Sequence, residues 1–203
     1  MRRIIHTGAC LLLMVCMVAC SIFPNKGPNG EPRRTDDYTL NSERRDLNQQ
    51  ILKNPGSFRE NSPNDYTLTA SVNVSHENGA DYITYEILVN EVRVPMDNVI
   101  QSFTLNSSMI NNVNASELLN SNVHNTHETS LGPYKEPLGL SLSRGYTLKP
   151  EMEIDSNIIH VYEDMYIKIS YGPNEDRTED YFHLKAEPSS EAMDYLRAWS
   201  EDE

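Results

Sequence analysis

From Tyr66 onward the chain adopts a period of two. Tyr66, Leu68, Ala70, Val72 and Val74 alternate with Thr67, Thr69, Ser71, Asn73 and Ser75, the pattern of a strand with one buried face. Asn78-Gly79 follows, a strong hairpin signal because both residues tolerate positive φ. Ile83, Tyr85, Ile87 and Val89 predict the returning strand. Val92, Val94 and Met96 continue the alternation until Pro95 weakens it, and residues 99–105 read as a further strand. Strands are expected again at 138–142, 146–148 and 158–162. The last hairpin runs out through Met165, Ile167, Ile169 and Tyr171, turns at Gly172-Pro173-Asn174, and returns through Phe182, Leu184 and Ala186.

Helical spacing is sparser. Residues 42–53 predict a short helix with Ser42 as N-cap and Leu47, Ile51 and Leu52 on one side, stopped by Asn54-Pro55-Gly56. One turn is expected at 114–120, with Asn114 as N-cap and Glu117 three residues on. Residues 189–199 predict a terminal helix with Ala192, Met193, Leu196 and Trp199 along one stripe. Seven or eight short strands with turns between them predict a mainly β fold. The expected form is an antiparallel β-sandwich, immunoglobulin-like or transthyretin-like, with a short C-terminal helix; a small barrel is the alternative. A true immunoglobulin domain is not supported, because there is no Cys–Trp–Cys pattern. No dinucleotide loop or strand–helix alternation suggests an α/β enzyme.

Composition narrows the classes. The 203 residues are 38% hydrophobic and 23% charged, enough apolar material for one modest core and far too little for a polytopic membrane protein. Seventeen basic and 30 acidic residues give a net charge of −13, which repels phosphate backbones and disfavours nucleic acid as a partner.

The N-terminus carries an address. Arg2 and Arg3 precede the apolar run Ala9 to Ala19, which ends in Met17-Val18-Ala19-Cys20 followed by Ser21. The run is too short for a spanning helix and has the layout of a signal peptide. Its end resembles the lipobox of the bacterial lipoproteins: an apolar residue, a small residue, and the Cys that becomes the mature N-terminus. Met17 stands where the family usually has Leu. The resemblance covers about a tenth of the chain and implies lipidation of Cys20, cleavage before it, and a membrane anchor. It also implies, from Ser21 after the Cys, sorting to the outer membrane where the cell has one, and otherwise residence on the outer face of the plasma membrane.

The expected organisation is a signal peptide at 1–19, a lipidated Cys20 and flexible tether with one short helix at 20–63, a β-sandwich at 64–187, and a helix with an acidic tail at 188–203. All three Cys lie at or before Cys20, leaving none in the mature domain for a disulfide, a zinc site or a thiol nucleophile. Without Arg2 and Arg3 the mature chain has 15 basic and 30 acidic residues, net −15. A domain so charged has no attraction for anionic headgroups, so the lipid is the expected contact with the membrane.

Candidate chemistry is thin. His124 and His127, with Glu128, are the best metal candidates, since a His-x-x-His pair can set two imidazoles on one side of a turn. A third ligand would have to come from His76, His160 or His183, and two exposed loop histidines are the simpler reading. Asn174, Glu175 and Asp176 with Glu179 and Asp180 could gather oxygens for calcium, but no EF-hand spacing is present and a solvated charged hairpin is preferred. Glu151, Glu153 and Asp155 alternate on one face, suiting either carboxylate catalysis or, as preferred, protection of a strand edge. Tyr166 and Tyr181 share an outer face, as anchors for a partner or, as preferred, a pair that stabilises the sheet. No Gly-x-Ser-x-Gly elbow or phosphate-cradling glycine loop occurs. The expectation is a non-enzymatic, cofactor-free, lipid-anchored binding or scaffolding component of an envelope assembly with protein partners. A solute- or metal-binding lipoprotein and an envelope hydrolase are the alternatives.

Overall fold

The computed structural model describes residues 35–124, 129–150, 157–173 and 176–200, with backbone alone at 35–38, 124 and 198–200. Strands β1 (Thr67–Glu77) and β2 (Ala80–Asn90) pair antiparallel in unbroken register from Thr67↔Asn90 to Glu77↔Ala80. Their turn has Asn78 at φ 54° and Gly79 at φ 80°, the two-residue type I′ geometry whose twist matches the flanking strands. The predicted apolar faces point inward: Val72, Ile83, Tyr85, Ile87 and Val89 are all at most 1% exposed.

Strand β3 (Ile100–Leu105) pairs with the two-residue β4 (Asn120–Ser121), while β5 (Gly139–Thr147) lies against β2. The hairpin of β6 (Asp164–Tyr171) and β7 (Thr178–Lys185) joins β3 through β6. A short parallel strand, β8 (Glu187–Pro188), sits beside Ser71 and Val72. Two four-stranded sheets result, ordered β5-β2-β1-β8 and β4-β3-β6-β7. Their apolar residues form one core, with Phe103, Met165, Ile167, Ile169 and Phe182 supplied by the second sheet. Helix α3 (Ser190–Ser200) adds Ala192 and Leu196 to that core, and Ser189 Oγ accepts from Ala192 N at 3.1 Å to cap its start. Among the described residues no helix is long and apolar enough to cross a membrane.

Several expectations are corrected. Residues 92–96 form an irregular link with a single bridge, Met96↔Leu131, rather than a strand. The stretches 138–142 and 146–148 are one strand, since Ser143, Arg144 and Gly145 stay in register with β2. Residues 158–162 form one helical turn, α2 (Ile158–Val161), whose i, i+3 pair Ile158 and Val161 is buried. No helix forms at 114–120, because β5 engages that backbone: Asn114 N donates to Thr147 O at 2.8 Å, and Tyr146 Oη donates to Leu118 O at 2.8 Å. The nearby helical turn is instead the 3₁₀ segment Ser107–Asn111, capped by Asn106.

The largest correction concerns the expected tether. Helix α1 spans Thr35–Lys53, so Ser42 lies inside it and is no cap. Glu43 (5% exposed) and Leu47 (0%) are buried. Beyond α1, Arg59 N donates to Tyr181 O at 2.9 Å and His183 N to Arg59 O at 3.0 Å, extending the β7 edge. Ser62 Oγ accepts from Leu68 N at 2.9 Å. Residues 35–63 therefore belong to the folded unit, which spans Arg34–Glu203.

Candidate functional site

The predicted site residues are dispersed. Cys20, His127, Glu128, Glu151, Glu153, Asp155, Asn174 and Glu175 lie outside the described residues, as do the side chains of His124 and Trp199. His76 Nδ1 meets Asp81 Oδ1 at 2.7 Å at the end of the β1–β2 hairpin, His160 is exposed on α2, and His183 stacks on Tyr166 with ring centres 4.4 Å apart. Among the described residues no group of three or more His, Cys, Asp or Glu is placed to hold a metal ion. The charged hairpin divides its acids: Glu179 and Asp180, neighbours on β7, project to opposite faces and each finds a cation. Tyr166 and Tyr181 do share the outer face of the second sheet, but Phe58 packs edge-on against both, at 5.3 Å and 6.0 Å.

Sequence reasoning missed the strongest electrostatic centre. Lys168 stands on the outer side of β6 between Ile167 and Ile169, yet it is 1% exposed because α1 crosses over it. Its Nζ lies 2.9 Å from Glu179 Oε1, 3.0 Å from Glu43 Oε1 and 3.3 Å from Asp46 Oδ2. Ser102 Oγ donates to Glu43 Oε2 at 3.0 Å and lies 2.9 Å from Ser121 Oγ. Burial alone would lower the Lys168 pKa. The charge of Glu43, followed by the hydrogen bond to Glu179, outweighs it and holds the ammonium well above the usual lysine value. For Glu179, burial works upward, but the hydrogen bond and charge of Lys168 prevail and leave its carboxyl below the usual range. A lysine held so firmly protonated is a poor nucleophile or base. It is suited to fastening α1 to the sheet.

A second centre lies on the other side of β7. Asp180, 7% exposed, receives Tyr66 Oη at 3.0 Å and Arg59 Nη1 at 2.9 Å. Burial, then the charge of Asp180, pushes the Tyr66 hydroxyl far above its ordinary value, so it stays a neutral donor.

Between the C-terminal half of α1 and the 104–119 segment lies an open cleft of about 500 Å³. Ile51, Leu105, Ile110, Leu118 and Leu119 line it, and Arg44 and Glu117 meet at its rim at 2.6 Å. Both charges are more than a third exposed, so the pair contributes little to stability.

The surface leading into β5 differs from the rest. Tyr134 is fully exposed (102%) and Leu138 is 60% exposed. Tyr134 has φ 58°, the left-handed region that glycine enters freely and a bulky side chain enters at a cost. Lys135 and Glu136 between them are exposed as well, and β5 itself ends its sheet. In sequence the signal was present only as Gly132-Pro133-Tyr134-Lys135, a turn with an aromatic where a glycine would fit.

A comparison with protein-family models gives no match to this chain, and a search of curated proteins gives none either.

Proposed function

We propose that the chain is a bacterial lipoprotein, anchored in the cell envelope through lipid on Cys20, and that its folded unit is a non-catalytic binding or scaffolding component of an envelope assembly. The two sheets are read as a β-sandwich of immunoglobulin-like or transthyretin-like type. The anchor rests on Met17-Val18-Ala19-Cys20 after an apolar run of signal length. The binding role rests on one observation: Tyr134 is both strained and fully exposed, beside the end strand of a sheet. Solvent-exposed aromatics on firm turns are effective anchors for protein partners. With α1 docked, residues 21–34 lie between Cys20 and the first described helix. That span reaches roughly 50 Å at full extension, so partners are sought close to the membrane.

The test is in-cell cross-linking of the full-length protein beside a Cys20→Ala version, with mass spectrometry of what is captured. The expected outcome is a specific set of envelope proteins that is captured only with Cys20 present. Capture of nothing specific by either folded version would overturn the assembly reading. An unchanged envelope location for Cys20→Ala would overturn the lipid anchor.

A further inference from the structure

Helix α1 rests on a polar row. Ser121, Ser102, Lys168 and Tyr181 stand directly opposite one another across β4, β3, β6 and β7, so their side chains share the outer face of the second sheet. In an antiparallel sheet such a face is built for water. Glu43 meets this row twice: Oε2 accepts from Ser102 Oγ at 3.0 Å and Oε1 from Lys168 Nζ at 3.0 Å. Between Thr39 and Lys53 the helix buries Glu43 and Leu47 and leaves every other residue at least partly exposed. Desolvating an ion cluster largely cancels its internal attraction. The cluster therefore fixes where α1 sits, while the net gain on docking comes mainly from Leu47, with half-buried Leu40 and Ile51 along the same stripe.

Packing under the helix thins toward its C-terminal end, where the cleft of about 500 Å³ lies between Ile51 and Leu52 on one side and Leu105 and Ile110 on the other. The chain that leaves α1 is exposed at every residue from Leu52 to Ser57. Its backbone bonds are local: Asn54 N donates to Gln50 O at 2.9 Å and Ser57 N to Asn54 O at 2.9 Å. A Cβ on Gly56 would meet nothing within 4 Å. Immediately beyond, the chain is held fast. Phe58 packs edge-on against Tyr166 and Tyr181, and Arg59 bonds Tyr181 O and His183 N through its own backbone. A stiff helix, an exposed Pro55-Gly56 turn and a fixed point after it have the layout of a hinge.

We infer that α1 is a strap that opens as a unit about residues 54–57 while both sheets stay folded. Elements held by few buried apolar side chains are the ones that open below the global unfolding free energy. Opening returns hydroxyls, a lysine and a phenol to water, and its main apolar loss is Leu47. Charge is not stranded by it. Glu43 and Asp46 leave with the helix and hydrate, while Lys168 keeps Glu179, which lies 2.9 Å away on β7. In sequence the strap stands between Cys20 and the sheets. In the anchored protein proposed above, opening therefore inserts the nineteen-residue helix into the connection and lengthens it by up to about 28 Å. That consequence rests on the lipid anchor; the opening itself does not.

Hydrogen exchange of the full-length chain, followed by mass spectrometry over a range of denaturant, tests the strap. Fragments within α1 are expected to exchange as one group, with protection roughly tenfold or more below that of β2 and β6. Their denaturant dependence should be smaller too, because less surface is exposed. Lys168→Met should speed the α1 group roughly a hundredfold. Gly139→Ala, whose clash lies between β5 and β2, should speed the sheet fragments and leave the α1 group unchanged. Equal protection and denaturant dependence for α1 and β6 would overturn the proposal. So would unprotected α1 amides, or an α1 group that speeds up in Gly139→Ala. The wild-type comparison decides on its own if a variant fails to fold. If α1 exchanges separately while Cys20→Ala keeps its envelope location, the anchor falls and the strap stands. If α1 exchanges with β6 while Cys20-dependent partners are captured, the strap falls and the anchor stands.

Discussion

Replacing Lys168 with Met tests whether α1 is fastened by a buried charge. Methionine keeps most of the stem's apolar volume, so little cavity is left. The loss is electrostatic. Of the three carboxylates, Asp46 and Glu179 have side chains 32% and 39% exposed and can turn to water, whereas the Glu43 side chain is 7% exposed and keeps only Ser102 Oγ. Removing one partner of a buried ion pair costs about 3–5 kcal/mol. With two of the carboxylates able to rehydrate, the expected cost is about 3 kcal/mol, or roughly 6–12 °C in Tm for a domain of this size. The double variant Lys168→Met/Glu43→Leu replaces the pair by apolar groups and should recover most of the loss, a coupling with the opposite sign to simple addition. Chemical denaturation of the four corners of the cycle reads both quantities. A single variant within about 0.5 kcal/mol of wild type, or a double variant worse than the single, would refute the argument.

The same centre predicts the pH profile. The Lys168 pKa is raised in the folded state, so its contribution is fully present below about 10.4, the unfolded value, and is lost as pH climbs through the folded value. The alkaline fall in wild-type Tm should therefore be shallower in Lys168→Met. Glu179 is depressed: its contribution is present above about 4.3 and disappears as pH falls through the lower folded value, giving an acid limb that Glu179→Gln flattens.

Three further outcomes follow from the packing. A chain beginning at Arg34 should melt with the full-length protein, whereas one beginning at Asn54 loses Glu43, Asp46 and Leu47 together and should lose more stability than Lys168→Met; calorimetry of both decides where the folded unit starts. Tyr66→Phe removes a buried hydrogen bond to Asp180 but leaves Arg59 in place, so a loss of about 1.5–3 kcal/mol is expected by urea denaturation, and no change would mean that the hydroxyl is not bonded. Gly139→Ala would put a Cβ 2.7 Å from Val89 O on β2, whereas Gly56 has nothing within 4 Å of that position; the first should cost about 1–3 kcal/mol and the second under about 0.5.

What could be read in the sequence divides along one physical line. Alternation reports a strand's two faces, so the β1–β2 and β6–β7 hairpins and their buried residues were legible at once. Alternation cannot report what lies over a face. Ile158 and Val161 look like strand residues until α2 needs them one turn apart, and residues 114–120 look helical until β5 takes the carbonyl of Leu118 and the amide of Asn114. Tyr134 is less legible still, because a residue's φ is not written in its identity.

Lys168 and Tyr134 break the pattern in opposite ways, and the comparison carries the functional argument. A lysine at an outward position of β6 should be solvated; it is buried, and the cause is found inside the chain, where α1 supplies Glu43 and Asp46 at i, i+3 beside the buried Leu47. Tyr134 is the converse, a bulky residue in glycine's conformation with its ring in water. A rule violated and compensated within the fold marks structure. A rule violated with no compensation on any described element, as at Tyr134, is the observation on which the proposed binding role rests.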